Sequence, residues 1–212
     1  MSYSAEHKAK TKERILEAAT ELFCRYGFDK VSITQVMKLA KMTHGAFYAH
    51  FESKEALYKE SFGAALTRSS AIRLIKGPFS IQTLMNFVTG YLNLNNVTEN
   101  NAPNSEAFLS NDIGNENSEV KKLYEQSYLG LIKLFENRLR ALSRLKSSPL
   151  NIDLTAIPEK SRAILACMIG SLAIAKTINE ENERKAVLVA SQNQIFTILG
   201  VKEPESRMQL SV

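Results

Sequence analysis

Residues 31–57 read Val31-Ser-Ile-Thr-Gln-Val-Met-Lys-Leu-Ala-Lys-Met-Thr-His-Gly-Ala-Phe-Tyr-Ala-His-Phe-Glu-Ser-Lys-Glu-Ala-Leu57. The pattern predicts two short helices that are joined by a tight turn and followed at once by a longer helix. The second short helix has almost no acidic charge and is dense in small, aromatic and hydrogen-bonding side chains. A helix whose exposed side approaches DNA has this composition. The alternative is a small helical subdomain with ordinary caps, and the flanking sequence favours DNA binding.

The first short helix has a clear start signal. Ser32 is suited to be its N-cap, and Gln35, three residues later, completes a capping box in which each side chain satisfies a free backbone N–H group. The predicted buried face consists of Val36, Leu39 and Ala40.

The second short helix follows a turn at residues 41–42. Thr43 is its predicted N-cap, and the helix is expected to run to His50. Phe47 and Phe51 are four residues apart and are therefore expected to point into the core.

The exposed end of this helix carries the candidate DNA contacts. Thr43, His44, Gly45 and Tyr48 lie at or near its N-terminus, where free N–H groups suit a phosphate. Gly45 removes side-chain bulk where a backbone could approach a groove. Ser53 is expected to cap the next helix, with Lys54 beside its start.

An amphipathic helix is predicted upstream of this region. Gly27 ends it, because glycine readily adopts the left-handed conformation found after helix C-termini. The apolar stripe of this helix comprises Ile15, Ala19, Leu22, Phe23 and Tyr26.

Together these segments resemble the N-terminal domain of the TetR family of bacterial transcriptional regulators. The resemblance covers residues 8–60, and beyond them it rests on chain length and an all-helical pattern. The matching pieces are Ile15-Leu16-Glu-Ala-Ala, Leu22-Phe23, Tyr26-Gly27-Phe28, Val31-Ser32 and the run from Gly45 to Leu57.

The resemblance implies a set of DNA-binding residues. Base edges are expected to meet Thr43, His44 and Gly45. Phosphates are expected to lie near Tyr48, His50 and Lys54. The start of the preceding helix also touches DNA in the family, which adds Ser32 and Thr34.

Two positions depart from the family pattern. The turn between the short helices usually holds glycine, whereas this chain has Lys41, which either strains the turn or adds a phosphate contact. Ile33 is apolar, so little hydrogen bonding is expected from it.

Composition is compatible with DNA binding. The chain has 212 residues, a formal net charge of +5 and 44% hydrophobic residues, enough for one or two domains with a real core. Basic residues cluster near the beginning, either as an arm along the phosphate backbone or as a solvated, frayed terminus. They are Lys8, Lys10, Lys12 and Arg14.

Cysteine usage and hydropathy indicate a cytoplasmic protein without membrane association. Cys24 and Cys167 are far apart and are interpreted as core residues, with a redox role left open. The first residues do not form a signal peptide. The longest uncharged apolar run, Ala163 to Ala175, has thirteen residues, too few to span a membrane.

The remainder predicts an all-α protein with three parts. Residues 1–52 form a helix-turn-helix DNA-binding domain, 53–200 a helical ligand-binding and dimerisation domain, and 201–212 a loose tail. Helices are expected over Ser53–Ile75, Ser80–Leu94, Ser118–Leu145, Pro158–Ile178 and from residue 183 to Leu199.

An Asn-rich stretch spans residues 93–117. It is expected to contain a short helix near Ser105–Ser110. It is either a surface connection or a mobile flap over a ligand pocket.

The penultimate helix predicts a homodimer. Small residues recur on it at spacings of three and four, and larger apolar residues surround them, so several of its sides need cover. A four-helix bundle with a second subunit supplies that cover, and the family resemblance implies the same. The small residues are Ala163, Ala166, Gly170 and Ala173.

A small-molecule effector is implied by the resemblance, and an apolar or neutral one by the absence of evident inward charge. Its candidate contacts are aromatic or methionine side chains, each of which is also a plausible core residue. They are Phe62, Met85, Phe87, Tyr91, Phe108, Tyr124, Tyr128 and Met168.

The predicted function is a repressor that binds a palindromic operator as a dimer and is released by a ligand. An enzyme is not supported, because the chain lacks a Gly-rich phosphate loop, a nucleophile elbow and a zinc motif, and no cofactor or metal is expected. A helical lipid-binding or scaffold protein with a borrowed helix-turn-helix is the remaining alternative.

Overall fold

A computed structural model describes residues 2–67, 74–97, 108, 111–145 and 153–201. Throughout these residues the regular structure is helical, as the sequence predicts. The α-helices are α1 (Ser2–Tyr26), α2 (Ile33–Leu39), α3 (Lys54–Thr67), α4 (Ile81–Tyr91), α5 (Ser118–Ser143), α6 (Ile157–Thr177) and α7 (Glu181–Leu199). Short 3₁₀ helices span His44–Ala49, Leu94–Asn96 and Leu154–Ala156.

The chain divides into two compact units. The first comprises residues 1–72 and 99–125, and the second residues 73–98 and 126–212. The boundary predicted after residue 52 falls inside the first unit, because α3 packs against α1. The division of functions between the two predicted domains stays a prediction.

Apolar side chains from α1, α2 and α3 form the core of the first unit. Ile15, Phe23 and Leu57 are fully buried. Gly27 ends α1 with φ +76°, and its N–H donates to the carbonyl of Phe23 at 2.9 Å. The predicted left-handed stop is therefore confirmed.

Two residues of the predicted buried faces are exposed instead. Leu39 is 44% exposed, and Met37 takes its place in the core. At 100° per residue, positions 36, 37 and 40 share one face of α2, whereas position 39 lies on its flank. Tyr26 is 50% exposed, and Phe28 stacks on Phe23 instead, with ring centroids 6.2 Å apart.

The second unit is built from α4, α6, α7 and residues 126–143 of α5. The helices α6 and α7 form an antiparallel pair, since only residues 178–180 separate them and they contact each other extensively. Gly200 ends α7 in the left-handed conformation, with φ +71°. Pro158 lies in the first turn of α6, where its missing N–H costs nothing.

Several predictions lie wholly or mostly outside the described residues. They are the loose tail after Val201, the helix break near Pro149, and the short helix at Ser105–Ser110, of which only Phe108 is described. The predicted helix end near Ile75 is itself described: residues 74–76 are helical and residue 77 is not, whereas residues 68–73, between them and α3, lie outside the described ranges.

The apolar run predicted to be a buried helix lies within α6. In the part of the chain that the structure describes, no helix combines the length and the hydropathy that a membrane span requires. Neither cysteine is in a disulfide bond; Cys24 is buried and Cys167 is half-buried.

Candidate nucleic-acid interface

The start of α2 is fixed by the predicted capping box. The N–H of Ser32 donates to Oε1 of Gln35 at 2.7 Å, and the N–H of Gln35 donates to Oγ of Ser32 at 3.2 Å. Ser32 and Thr34 are both exposed. Ser32 therefore has a structural role in the cap, whatever it contacts outside the protein.

The end of α2 forms a Schellman turn with an unusual residue in it. The N–H of Met42 donates to the carbonyl of Met37 at 2.9 Å, and that of Lys41 to Lys38 at 3.1 Å. Lys41 occupies the left-handed position with φ +56°. Of the two predicted consequences of lysine here, the strained turn has direct geometric support.

Arg14 supports the same turn from α1. Its guanidinium donates to the carbonyl of Ala40 at 2.9 Å, which satisfies an acceptor at the end of α2. In the sequence, Arg14 belongs to the basic beginning of the chain, and no local pattern predicts this contact with Ala40. Its position on α1, close to the buried Ile15, was the available signal.

The candidate recognition helix is a 3₁₀ helix, His44–Ala49, which is wound more tightly than an α-helix. It ends one residue before the predicted end at His50. Thr43 precedes it in an extended conformation, without a side-chain hydrogen bond to the cap. Phe47 and Phe51 are buried at 0% and 3% exposure, as predicted, and their rings stack at 5.8 Å. These two aromatic residues anchor the helix and orient its other face outward.

The outward face carries the residues predicted to meet DNA. Thr43, His44 and Gly45 are exposed, and Tyr48 is 63% exposed. The rings of His44 and Tyr48 meet edge to face at 5.9 Å. A Cβ added to Gly45 would meet no atom within 4 Å, so nothing inside the protein requires a glycine there.

His50 lies at the end of this helix, in basic surroundings. It is half-buried, and its pKa is lowered from the ordinary 6.5 by burial and then by the charges of Lys8 and Lys12. Lys12 pairs with Glu60 at 2.8 Å and lies over the ring of Phe51. Lys8 and Lys12 lie on α1 and act on His50, so the basic beginning of the chain is helical, and its contact with the phosphate backbone stays a prediction.

Lys54 is less free than the sequence suggested. Its Nζ lies 4.1 Å from the centre of the Phe28 ring, and burial lowers its pKa. A phosphate contact by Lys54 requires the ammonium to tilt away from this ring. Its role as a phosphate ligand stays a prediction.

The residues predicted to form the dimer interface lie away from the core of their own chain. Ala163 and Ala166 are exposed, and Gly170 and Ala173 are half-buried. Ile174, further along α6, is 54% exposed. On α7, residues 186–201 contain no charged side chain, and the exposed positions there are Ala186, Ala190, Asn193, Gln194, Thr197 and Gly200.

The predicted effector contacts are distributed over both units. In the first unit, Phe62, Phe108 and Tyr124 help to line a cavity of about 10 Å³, room for roughly one water molecule. In the second unit, Tyr128 is half-buried and the other four are buried: Met85, Phe87, Tyr91 and Met168. An effector that binds among the first-unit residues needs these side chains to move apart.

Comparison with known proteins supports the DNA-binding reading of the first unit. Residues 15–61 match the family described as "Bacterial regulatory proteins, tetR family". The "HTH-type transcriptional repressor Rv1474c" of Mycobacterium tuberculosis is 34% identical over 55 residues, which are 26% of this chain and 29% of that protein. This match is therefore confined to less than a third of the repressor's length.

A longer and weaker match extends beyond the first unit. The "Biofilm operon icaADBC HTH-type negative transcriptional regulator IcaR" of Staphylococcus aureus is 23% identical over 137 residues, 58% of this chain and 74% of that protein.

The fold as a whole also has solved counterparts. The "transcriptional regulator, TetR family from Cytophaga hutchinsonii" superposes with a TM-score of 0.72 at 15% identity, over 92% of this chain and 98% of that chain. The superposition establishes a shared fold, with a helix-turn-helix at the N-terminus and helices after it, and at this identity it establishes the fold alone.

Proposed function

We propose that this chain, which belongs to the TetR family of bacterial regulatory proteins, is a transcriptional repressor that binds a DNA operator through the 3₁₀ helix His44–Ala49. That it is a regulator and not an enzyme follows from the family. Repression is favoured by two relatives, one named a repressor and the other a negative regulator.

The observation that carries the proposal is the outward face of the 3₁₀ helix. Thr43, His44 and Gly45 are exposed while Phe47 behind them is fully buried. The buried side holds the helix in place, and the exposed side is accessible to a partner. Residues 30–51 contain no acidic side chain that would repel phosphates. A rigid, non-acidic face with hydrogen-bonding side chains suits the major groove.

The proposed contacts divide into two kinds. Thr43 and His44 approach base edges, while Tyr48 and Lys54 contact phosphates. Base contacts carry sequence information, whereas phosphate contacts set affinity and its dependence on salt.

We further propose that the functional unit is a homodimer formed by α6 and α7. The exposed small residues of α6 and the charge-free surface of α7 support it, because a monomer gains nothing from leaving such faces in water. Two-fold symmetry then requires an inverted-repeat operator.

A small apolar or neutral effector is proposed to release the operator. Its support is the aromatic and methionine content of the predicted contact residues in both units. A thermal-shift screen of apolar compounds is the test. The idea is abandoned if no compound raises the melting temperature or lowers operator affinity.

The decisive experiment on DNA binding compares base and phosphate contacts. An operator is first selected from random duplexes with the wild-type protein, and fluorescence anisotropy then measures affinity for it and for a scrambled duplex at several salt concentrations. His44→Ala is expected to cost about 1–3 kcal/mol on the operator and little on the scrambled duplex. Lys54→Ala should weaken both duplexes alike and reduce the salt slope by about one.

Lys59→Ala is the matched control for Lys54→Ala, because Lys59 is exposed on the same helix and has no proposed DNA contact. It should leave both affinities unchanged. Equal losses on both duplexes for His44→Ala, with an operator-only loss for Lys54→Ala, would reverse the assigned roles. A wild-type protein that selects no duplex contradicts the proposed function itself.

A further inference from the structure

A buried carboxylate joins a segment distant in sequence to the DNA-binding part of the first unit. Asp112 is 5% exposed, and its Oδ1 accepts the backbone N–H of Phe28 at 2.8 Å. Its Oδ2 accepts the hydroxyl of Tyr58, on α3. The amide of Asn115 also donates to Oδ1, at 3.2 Å. One carboxylate thus bridges the corner after α1 to α3.

Neighbouring asparagines extend this connection. The amide of Asn111 donates to the carbonyl of Cys24 near the end of α1. Asn115 donates to the carboxylate of Asp29 at 2.9 Å, and Asn117 donates to that of Glu55 at 3.4 Å. Residues 111–117 therefore contact the end of α1, the loop after it and the start of α3. We call these contacts the Asp112 anchor.

Because Asp112 is buried, its carboxylate needs hydrogen-bond donors inside the protein. A buried carboxylate is costly unless donors surround it, and here three donors do. Burial and the adjacent carboxylate raise the pKa of Tyr58, so its hydroxyl keeps its proton and donates. The Tyr58 ring is itself fixed among aromatic rings, 5.0 Å from Phe23 and 5.2 Å from both Phe28 and Phe108.

Gly27 is fitted to the same anchor. Its φ is +76°, and a Cβ on it would lie 3.1 Å from Oδ1 of Asp112 and 3.2 Å from the carbonyl of Asn111. Glycine therefore serves two needs here, the left-handed turn and the close approach of residues 111–112. The sequence indicated only the first.

The position of Phe28 explains what the anchor controls. Phe28 follows α1, and Ser32, the N-cap of α2, is four residues later. A bond that holds the Phe28 amide against α3 therefore restricts the corner from which α2 and the 3₁₀ helix depart. The ring of Phe28 also carries the ammonium of Lys54.

We propose that Asp112 is a positioning residue for DNA binding: its carboxylate holds the α1–α2 corner against α3 in the geometry in which the 3₁₀ helix reads the operator. This inference rests on the proposed function. Asp112 touches no DNA itself and acts through Phe28 and Tyr58. Loss of the Asp112 anchor lets the outward face of the 3₁₀ helix, which we call the reading face, depart from its binding geometry while the rest of the unit stays folded.

The test measures operator and scrambled-duplex affinity for Asp112→Ala, Asp112→Asn, Tyr58→Phe and the Asp112→Ala/Tyr58→Phe double variant. Asp112→Ala should lose operator affinity about tenfold or more, because two buried donors lose a charged acceptor. Its affinity for the scrambled duplex should change much less, since non-specific binding depends on charge more than on geometry. Asp112→Asn keeps an acceptor for the Phe28 amide and should lose less.

The double variant tests whether one hydrogen bond carries the effect. If Asp112 acts through the hydroxyl of Tyr58, the double variant should bind the operator no more weakly than Asp112→Ala alone, because alanine already removes the partner of that hydroxyl. Additive losses would place the effect outside this bond and overturn the proposed path. Asp112→Asn and Tyr58→Phe keep the test valid if Asp112→Ala does not fold.

A stability control separates positioning from simple loss of folded protein. Leu142→Ala removes a side chain that is 1% exposed in the second unit, and it should destabilise the protein without altering the reading face. A smaller folded fraction lowers both affinities by one factor, whereas mispositioning lowers the operator preference. If Asp112→Ala keeps the operator preference of wild type, as Leu142→Ala should, the inference is wrong. If wild type itself has no operator preference, it is the proposed function that has failed.

Discussion

Lys41 shows how one residue can carry backbone strain at the turn between the two short helices. It has φ +56°, where a side chain with a Cβ is disfavoured and glycine is not. The Schellman hydrogen bonds on either side of it hold the turn in this conformation. The strain is therefore a cost in the folded state that the neighbouring contacts offset.

Lys41→Gly is expected to stabilise the protein by up to about 1 kcal/mol, because it relieves the left-handed conformation. The measurement is the free energy of unfolding from urea titrations. Lys38→Gly is the matched control, since it makes the same chemical change at a regular helical position inside α2. It should destabilise by about 1 kcal/mol. Equal destabilisation by both changes would contradict a strained turn.

The 3₁₀ helix His44–Ala49 is too short to be stable by itself, and its aromatic inner face holds it in place. Side chains on its outer face can therefore be replaced without loss of core packing. Gly45 lies on that outer face, and a Cβ there would meet only open space. A requirement for glycine at this position has to come from outside the protein.

Gly45→Ala should therefore leave the free energy of unfolding unchanged or slightly raised, while it weakens operator binding where the backbone approaches the groove. Calorimetry and anisotropy measure the two effects separately. Gly63→Ala on α3 is the control, because a Cβ there also meets nothing within 4 Å and the position has no proposed DNA contact. It should leave operator affinity unchanged. An unaffected operator affinity in Gly45→Ala would mean that no DNA surface comes near this residue.

At the scale of the whole molecule, α6 and α7 present a surface that a single chain leaves uncovered. Gly170 is half-buried within the stripe of small residues on α6, and a Cβ on it would meet no neighbouring atom within 4 Å. Residues 186–201, most of which belong to α7, contain no charged side chain and extend this uncharged surface. The proposed homodimer would cover both features by close packing of a second copy.

Gly170→Arg is expected to abolish the dimer, because it inserts a long, charged side chain into the proposed seam. Light scattering gives the molar mass, and circular dichroism confirms that the helices persist. Gly130→Arg is the control, since Gly130 is exposed on α5 and equally free of contacts. It should remain dimeric. A folded Gly170→Arg dimer would move the interface elsewhere.

Local sequence determined those features whose physical cause lies within a few residues. The capping box at Ser32, the left-handed stop at Gly27, and the buried pair Phe47 and Phe51 all follow from short-range geometry, and all are confirmed. The family assignment depends on the same kind of local pattern. Leu39 is an instructive failure, because a two-turn helix does not reveal by itself on which side of Val36 its core contact lies.

Tertiary structure decided those features that depend on partners far away in the chain. Asp112 lies in an Asn-rich stretch and resembles a turn residue, yet its carboxylate binds Phe28 and Tyr58, and the separation in sequence is 84 and 54 residues. Lys54 was expected to face phosphate, yet it lies on the ring of Phe28. Arg138 is 2% exposed, because the carbonyls of residues 77 and 78 accept its guanidinium hydrogen bonds. Helix periodicity reports which face is apolar, but a buried charge is stable only where distant partners satisfy it, and no local pattern specifies those partners.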